Sequence, residues 1–177
     1  MRPLFLFLTV FSGALFAQAP GVGRAAVKPR NNLALTAGGL PDGSSMPQRF
    51  TCEGANVSPP LSWSGEPEGT RSFALIVDDQ DARGFNHWLL WDLPASVHSL
   101  AEGAKAEGTS GRNDFGDRGY GGPCPPAGRG SHVYSFRLFA LDVRSLNLAA
   151  GGRRDALDSA VRNHVLAKAE YRLKYGH

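Results

Sequence analysis

Five side chains at three places in this chain could act on one small group: Asp79 and Asp81 in the run Asp78-Asp79-Gln80-Asp81, then His87, and far downstream His132 with Tyr134. Carboxylates beside imidazoles and a phenol support three kinds of chemistry: general acid–base catalysis, a divalent metal centre, or a donor-rich hollow for an anion. For the first, Ser131 adjoins His132, but neighbouring strand residues point to opposite faces. No serine lies in a Gly-x-Ser-x-Gly elbow either. For the second, the two histidines and two aspartates lack a local ligand spacing. The third fits best. A carboxylate beside a histidine favours the imidazolium, so His87 or His132 is expected to stay charged near neutral pH and to donate to an anion. The chain therefore reads as a non-enzymatic binding protein with no catalytic residue, metal ligand or cofactor assigned. A hydrolase using the His/Asp cluster is the rival enzymatic reading.

These residues need strand ends and a stiff loop to hold them. The segment His132 to Leu141 alternates, with His132, Tyr134, Phe136, Leu138 and Ala140 on one face. The run Ser72 to Val77 is almost continuously apolar, as a central strand covered on both faces would be. Further strands are expected at Leu33 to Thr36, Gln48 to Cys52, Leu61 to Trp63 and His87 to Leu93. Between Gly103 and Gly130 lie 9 of the 22 glycines, with Pro123, Pro125 and Pro126 near the end, which describes a long Gly/Pro-rich loop that is stiff where the prolines stand. Beyond it, Leu157, Val161, Val165, Ala169 and Leu173 recur every fourth residue, and Asp155 is a plausible N-cap, which predicts one C-terminal amphipathic helix.

The remaining composition is that of an ordinary globular domain: 177 residues, 42% hydrophobic and 20% charged, with a formal charge of +3 and no basic run that would mark a nucleic-acid partner. The N-terminus, MRPLFLFLTVFSGALFAQA, has one early arginine, an apolar run and an Ala17-Gln18-Ala19 cleavage pattern. It reads as a signal peptide over residues 1–19, too short for a permanent span, followed by a linker at 20–32 and one domain at 33–177. The mature chain is then expected to carry no transmembrane segment and to be exported, periplasmic or secreted. In such an oxidising compartment the two cysteines, Cys52 and Cys124, allow a single disulfide.

Four blocks in order resemble the phosphatidylethanolamine-binding proteins, particularly their bacterial Raf kinase inhibitor-like branch: TCEGANVSPPLSW from Thr51, VDDQDA with NHWLLWDLPA from Val77, NDFGDRGYGGPCPP from Asn113, and SHVYSFRLFALD from Ser131. The resemblance implies a mainly β fold, a compact antiparallel sandwich whose small cavity at the strand ends holds a phosphate or phospholipid head group. It places the family's acidic motif on Asp79 to Arg83, its histidines on His87 and His132, its tyrosine on Tyr134, and its cavity wall on Pro123-Cys124-Pro125-Pro126. The ligand-binding set it implies is Asp79, Asp81, His87, Cys124, Pro125, His132 and Tyr134. Gln80 and Arg83 stand where the family has prolines, and Val133 where it has arginine. Family members also act through their surfaces, so an exported inhibitor of a protease or kinase, with an unidentified protein partner, is the alternative function.

Overall fold

The computed structural model describes residues 32–105 and 107–177; the signal-peptide assignment and nearly all of the linker lie outside them. Two antiparallel sheets form a sandwich. The smaller has the order β1-β2-β5, from β1 (Ala34–Ala37), β2 (Leu61–Ser64) and β5 (Ser99–Leu100). The larger has the order β6-β4-β3-β7-β8, from β3 (Ser72–Asp79), β4 (Phe85–Pro94), β6 (Thr109–Ser110), β7 (Ser131–Leu141) and β8 (Val165–Gly176). The apolar run of β3 is the middle strand, and all eight of its residues are buried.

Strand alternation divides the interior into two cores. Phe73, Leu75 and Val77 of β3 face the smaller sheet, where they join Leu35, Leu61, Trp63, Tyr134, Phe136 and Leu138. Ala74 and Ile76 face the other way, with Leu89 and Trp91, and are covered by α1 (Arg154–Val161) through Leu157 and Val161. Each such valine, leucine, isoleucine or phenylalanine, fully buried, contributes about 1.5–3 kcal/mol relative to exposure. Among the described residues no helix is long and apolar enough to cross a membrane.

Two expected elements differ. The C-terminal helix stops at Val161, and residues 165–176 form β8, antiparallel to β7 along its whole length. A spacing of four is a multiple of the strand period as well as close to the helical one, and Ala167, Ala169, Tyr171 and Leu173 are the buried alternates of the strand. The N-cap is Arg153, with Asp155 inside the first turn. Gln48 to Phe50 forms a 3-10 helix in place of a strand: Pro47 fixes the entry angle, and the Thr51 hydroxyl closes the turn by donating to the Gln48 carbonyl at 2.8 Å.

Candidate functional site

The end of β3 carries two adjacent carboxylates that serve different layers. Asp79 continues the face of Phe73, Leu75 and Val77, whereas Asp78 continues the face covered by α1. Asp79 is almost fully buried, and its oxygens are engaged: Oδ2 receives Nδ1–H of His132 at 2.7 Å, and Oδ1 accepts the backbone N–H groups of Asp81 and Ala82 at 2.9 and 3.1 Å. The Asp81 carboxylate in turn accepts the Val133 N–H at 2.8 Å, while the Gln80 N–H donates to the Val133 carbonyl at 2.9 Å. The acidic turn is thus fastened to β7 by its own carboxylates, without the two prolines the family pattern has there.

His87 reaches the same place by an irregularity. β4 pairs Trp88 with Val77 and Asn86 with Asp78, so His87 is an extra residue opposite no partner, a bulge that re-aims a side chain. Its ring meets Phe85 at 5.3 Å, Phe115 at 5.4 Å and the edge of Tyr134 at 5.2 Å between centroids. Its Nδ1 lies 2.7 Å from the Gly121 carbonyl, which can only accept, so Nδ1 carries the proton; the Gly121 N–H returns a bond to the His87 carbonyl at 2.8 Å. Burial lowers the His87 pKa below its ordinary value, against the smaller opposing pull of the Gly121 carbonyl and the Asp79 charge. The expectation of a protonated ring is therefore corrected for His87, which is neutral at pH 7. The His132 ring directly faces the Asp79 carboxylate.

A third wall comes from the Gly/Pro-rich loop. Cys52 and Cys124 form a disulfide, with Cα atoms 5.4 Å apart. Around it the Cys52 N–H donates to the Pro123 carbonyl at 3.0 Å, the Gly122 N–H to Asn56 Oδ1 at 2.7 Å, and the Tyr120 hydroxyl to the Phe50 carbonyl at 2.7 Å. The approach is close enough to require glycine: a Cβ on Gly122 would lie 2.5 Å from the Phe50 carbonyl oxygen.

Asp79, His87, Cys124, Pro125 and His132 line one cavity of about 300 Å³, together with Ala82, Phe85, Phe115 and Pro126. Tyr134 and Asp81 are placed elsewhere. Tyr134 is buried beneath the histidines, and burial together with the Asp79 charge pushes its phenol far above its ordinary value. Asp81 borders an adjoining depression with Arg129, Ser131 and His132. Phe85 and Phe115 join the cavity beyond the residues that the sequence points to. Phe85 stands two before His87 on one strand and was within reach of alternation, but Phe115 comes from an irregular loop with no pattern to read.

Behind the site, Asp78 binds Arg137, accepts Arg154 Nη1 at 2.8 Å, and accepts Gln80 Nε2 at 2.7 Å. Arg154 also donates to Asn86 Oδ1 at 2.7 Å, and Asn86 donates through N–H and Nδ2 to Asp114 at 2.8 and 3.0 Å. This network ties α1 to the residue beside His87 and to the loop that carries Phe115. Among the described residues, no group of three or more His, Cys, Asp or Glu is arranged to hold a metal ion.

The family model described as phosphatidylethanolamine-binding protein matches residues 37–176. A UPF0098 protein of Aquifex aeolicus is 44% identical over 135 residues, covering 72% of this chain and 79% of that protein. A Mycobacterium tuberculosis protein whose name describes it as a lipoprotein, LppC, is 47% identical over 113 residues, covering 62% of this chain and 55% of its own. The crystal structure of Escherichia coli YbcL, described as a member of the mammalian PEBP family, superposes with a TM-score of 0.77 at 33% identity, covering 82% of this chain and 98% of that one.

Proposed function

Since the chain belongs to the phosphatidylethanolamine-binding protein family, we propose that it is a non-enzymatic binding protein whose cavity takes one small anionic group of the phosphate type, free or as a phospholipid head group. The observation that carries this reading is the pairing of His132 with Asp79 on the cavity wall. Nδ1 is committed to the carboxylate, which fixes the ring, so Nε2 is the ring nitrogen left to meet an anion's oxygen. Phe85, Phe115, Pro125 and Pro126 give it an apolar surround, which strengthens a charge-assisted hydrogen bond.

A binding role is favoured over hydrolysis by the company the histidines keep. The cysteine in the cavity wall is spent in the disulfide, and Ser131 borders the neighbouring depression rather than this cavity. Export to the periplasm or beyond is supported by the same disulfide and by the lipoprotein name of the mycobacterial relative.

Calorimetric titration with inorganic phosphate and with glycerophosphoethanolamine tests the reading. The expected result is saturable binding, with at least a tenfold weakening in His132→Ala, from the loss of about 1.5–3 kcal/mol for a hydrogen bond to a charged group. The absence of saturable binding, or unchanged binding in His132→Ala, would overturn it.

A further inference from the structure

A second cavity, of about 310 Å³, is lined by a different set of residues, which includes the start of the loop strip that walls the first. The first cavity contains a buried carboxylate; the lining of the second contains Lys105 and Arg118 and no acidic residue. Neither cation forms a salt bridge with any described residue. Of the nearby carboxylates, Glu102 pairs with Arg49 at 2.9 Å, and Glu107 lies outside the cavity, on an adjoining groove that Lys105 also borders.

Asn56 adds a third donor, and its orientation is fixed. Its Oδ1 is occupied by the Gly122 N–H at 2.7 Å, so its free side-chain group is the NH₂, a donor only. Asn56 also holds a left-handed backbone, with φ 56°, a conformation that asparagine adopts more readily than most residues but still at a cost. Ser58 and Ser110 supply hydroxyls, and the rings of Trp88 and Tyr120, edge to face at 5.7 Å, form an apolar side.

We infer that this second cavity binds a small, hydroxyl-bearing anion of the phosphorylated or carboxylated sugar class, through Lys105, Arg118 and the Asn56 amide. Two unpaired cations draw the anionic group, while the serine hydroxyls and the amide suit hydroxyls that a bare inorganic ion lacks. The volume accommodates one sugar-sized molecule, at the small end of ordinary ligand pockets. The site is independent of His132: its occupant would touch Gly119 and Tyr120, the start of the strip whose other end contributes Cys124 and Pro125 to the first cavity.

The test is titration of the ¹⁵N-labelled full domain with glucose 6-phosphate, glucuronate, glucose and inorganic phosphate, on wild type, Lys105→Ala/Arg118→Ala and His132→Ala. Both substituted cations are exposed, so the double variant is expected to fold, and its amide spectrum checks this directly. The expected result is saturable shifts at residues 56–58, 103–105 and 118–120 with glucose 6-phosphate or glucuronate. Affinity should fall at least tenfold in the double variant and stay unchanged in His132→Ala. Whichever anionic sugar binds more tightly identifies the head group. The inference is overturned if neither sugar anion shifts these amides, if neutral glucose or inorganic phosphate binds as tightly as both, or if the double variant binds like wild type. Failure of the first cavity would show instead as loss of phosphate-induced shifts around His132, so the two readings fail separately.

Discussion

Replacing both cysteines, as Cys52→Ala/Cys124→Ala, should destabilise the protein mainly through its unfolded state. The bridge spans a sequence separation of 72 residues, and closing a loop of that size removes chain entropy equivalent to about 4 kcal/mol at 25 °C. A domain with total stability of about 5–15 kcal/mol would lose a large share of it. In urea, an m-value of about 2.5 kcal/mol/M converts this to a fall in midpoint of about 1.6 M, with a larger m because the uncrosslinked chain exposes more surface. The folded state should change far less. Three hydrogen bonds still hold the wall, from Cys52 N–H (a backbone group that the substitution keeps), Gly122 N–H and the Tyr120 hydroxyl, each worth about 1 kcal/mol. Ring-proton shifts of His87 and His132 should therefore stay near those of wild type below the unfolding transition. A midpoint shift under about 0.5 M would refute the loop-closure reasoning. Large changes at both histidines would refute the claim that the hydrogen bonds suffice to dock the wall.

Acid should weaken the fold through His87: burial lowers its folded pKa, so the unfolded chain takes up the proton first, and stability present above about pH 6.5 declines as pH falls through the folded value. Urea midpoints at pH 7 and pH 5 should differ more for wild type than for His87→Gln, and equal differences would count against the assignment. Asp78→Ala leaves Arg137 and Arg154 without their shared carboxylate and should cost about 3 kcal/mol by urea unfolding, whereas a loss below about 1 kcal/mol would mean that the pair is solvated. Gly122→Ala should cost about 1–3 kcal/mol, because its methyl would lie 2.5 Å from the Phe50 carbonyl oxygen and 2.7 Å from Asn56 Oδ1; thermal unfolding at wild-type temperature would show that the strip yields freely.

The parts of this fold that were legible are those in which one strand's own alternation decides the outcome. β3 announces itself as a central strand because it is apolar on both faces, and β7 sorts its residues by simple parity. β8 reads as helix from the sequence because fourfold spacing satisfies helix and strand together, and the decision between them rests on the partner strand β7, 24 residues upstream at the nearest ends. The two-residue strands β5 and β6 exist only through their partners and leave no periodic trace. At the site, parity puts His132 and Tyr134 on a shared face, yet depth along the strand separates them, since Tyr134 is sealed under the ring that reaches the cavity. His87 is the reverse case. Parity would set it opposite Trp88, and the bulge that turns it cannot be read from β4 alone.

The adjacency of Asp78 and Asp79 makes this part of the chain intolerant of miscounting. One residue inserted or deleted between Phe73 and Asp78 would exchange the two carboxylates between layers, leaving Arg137 and Arg154 facing the group meant for His132, and His132 facing Asp78. A change of two residues would keep the faces but draw the acidic turn off the end of β7, where Val133 receives it. Length variation among relatives should therefore be absent from this strand and collect where nothing is counted, in the loops around Gly103 and Gly128.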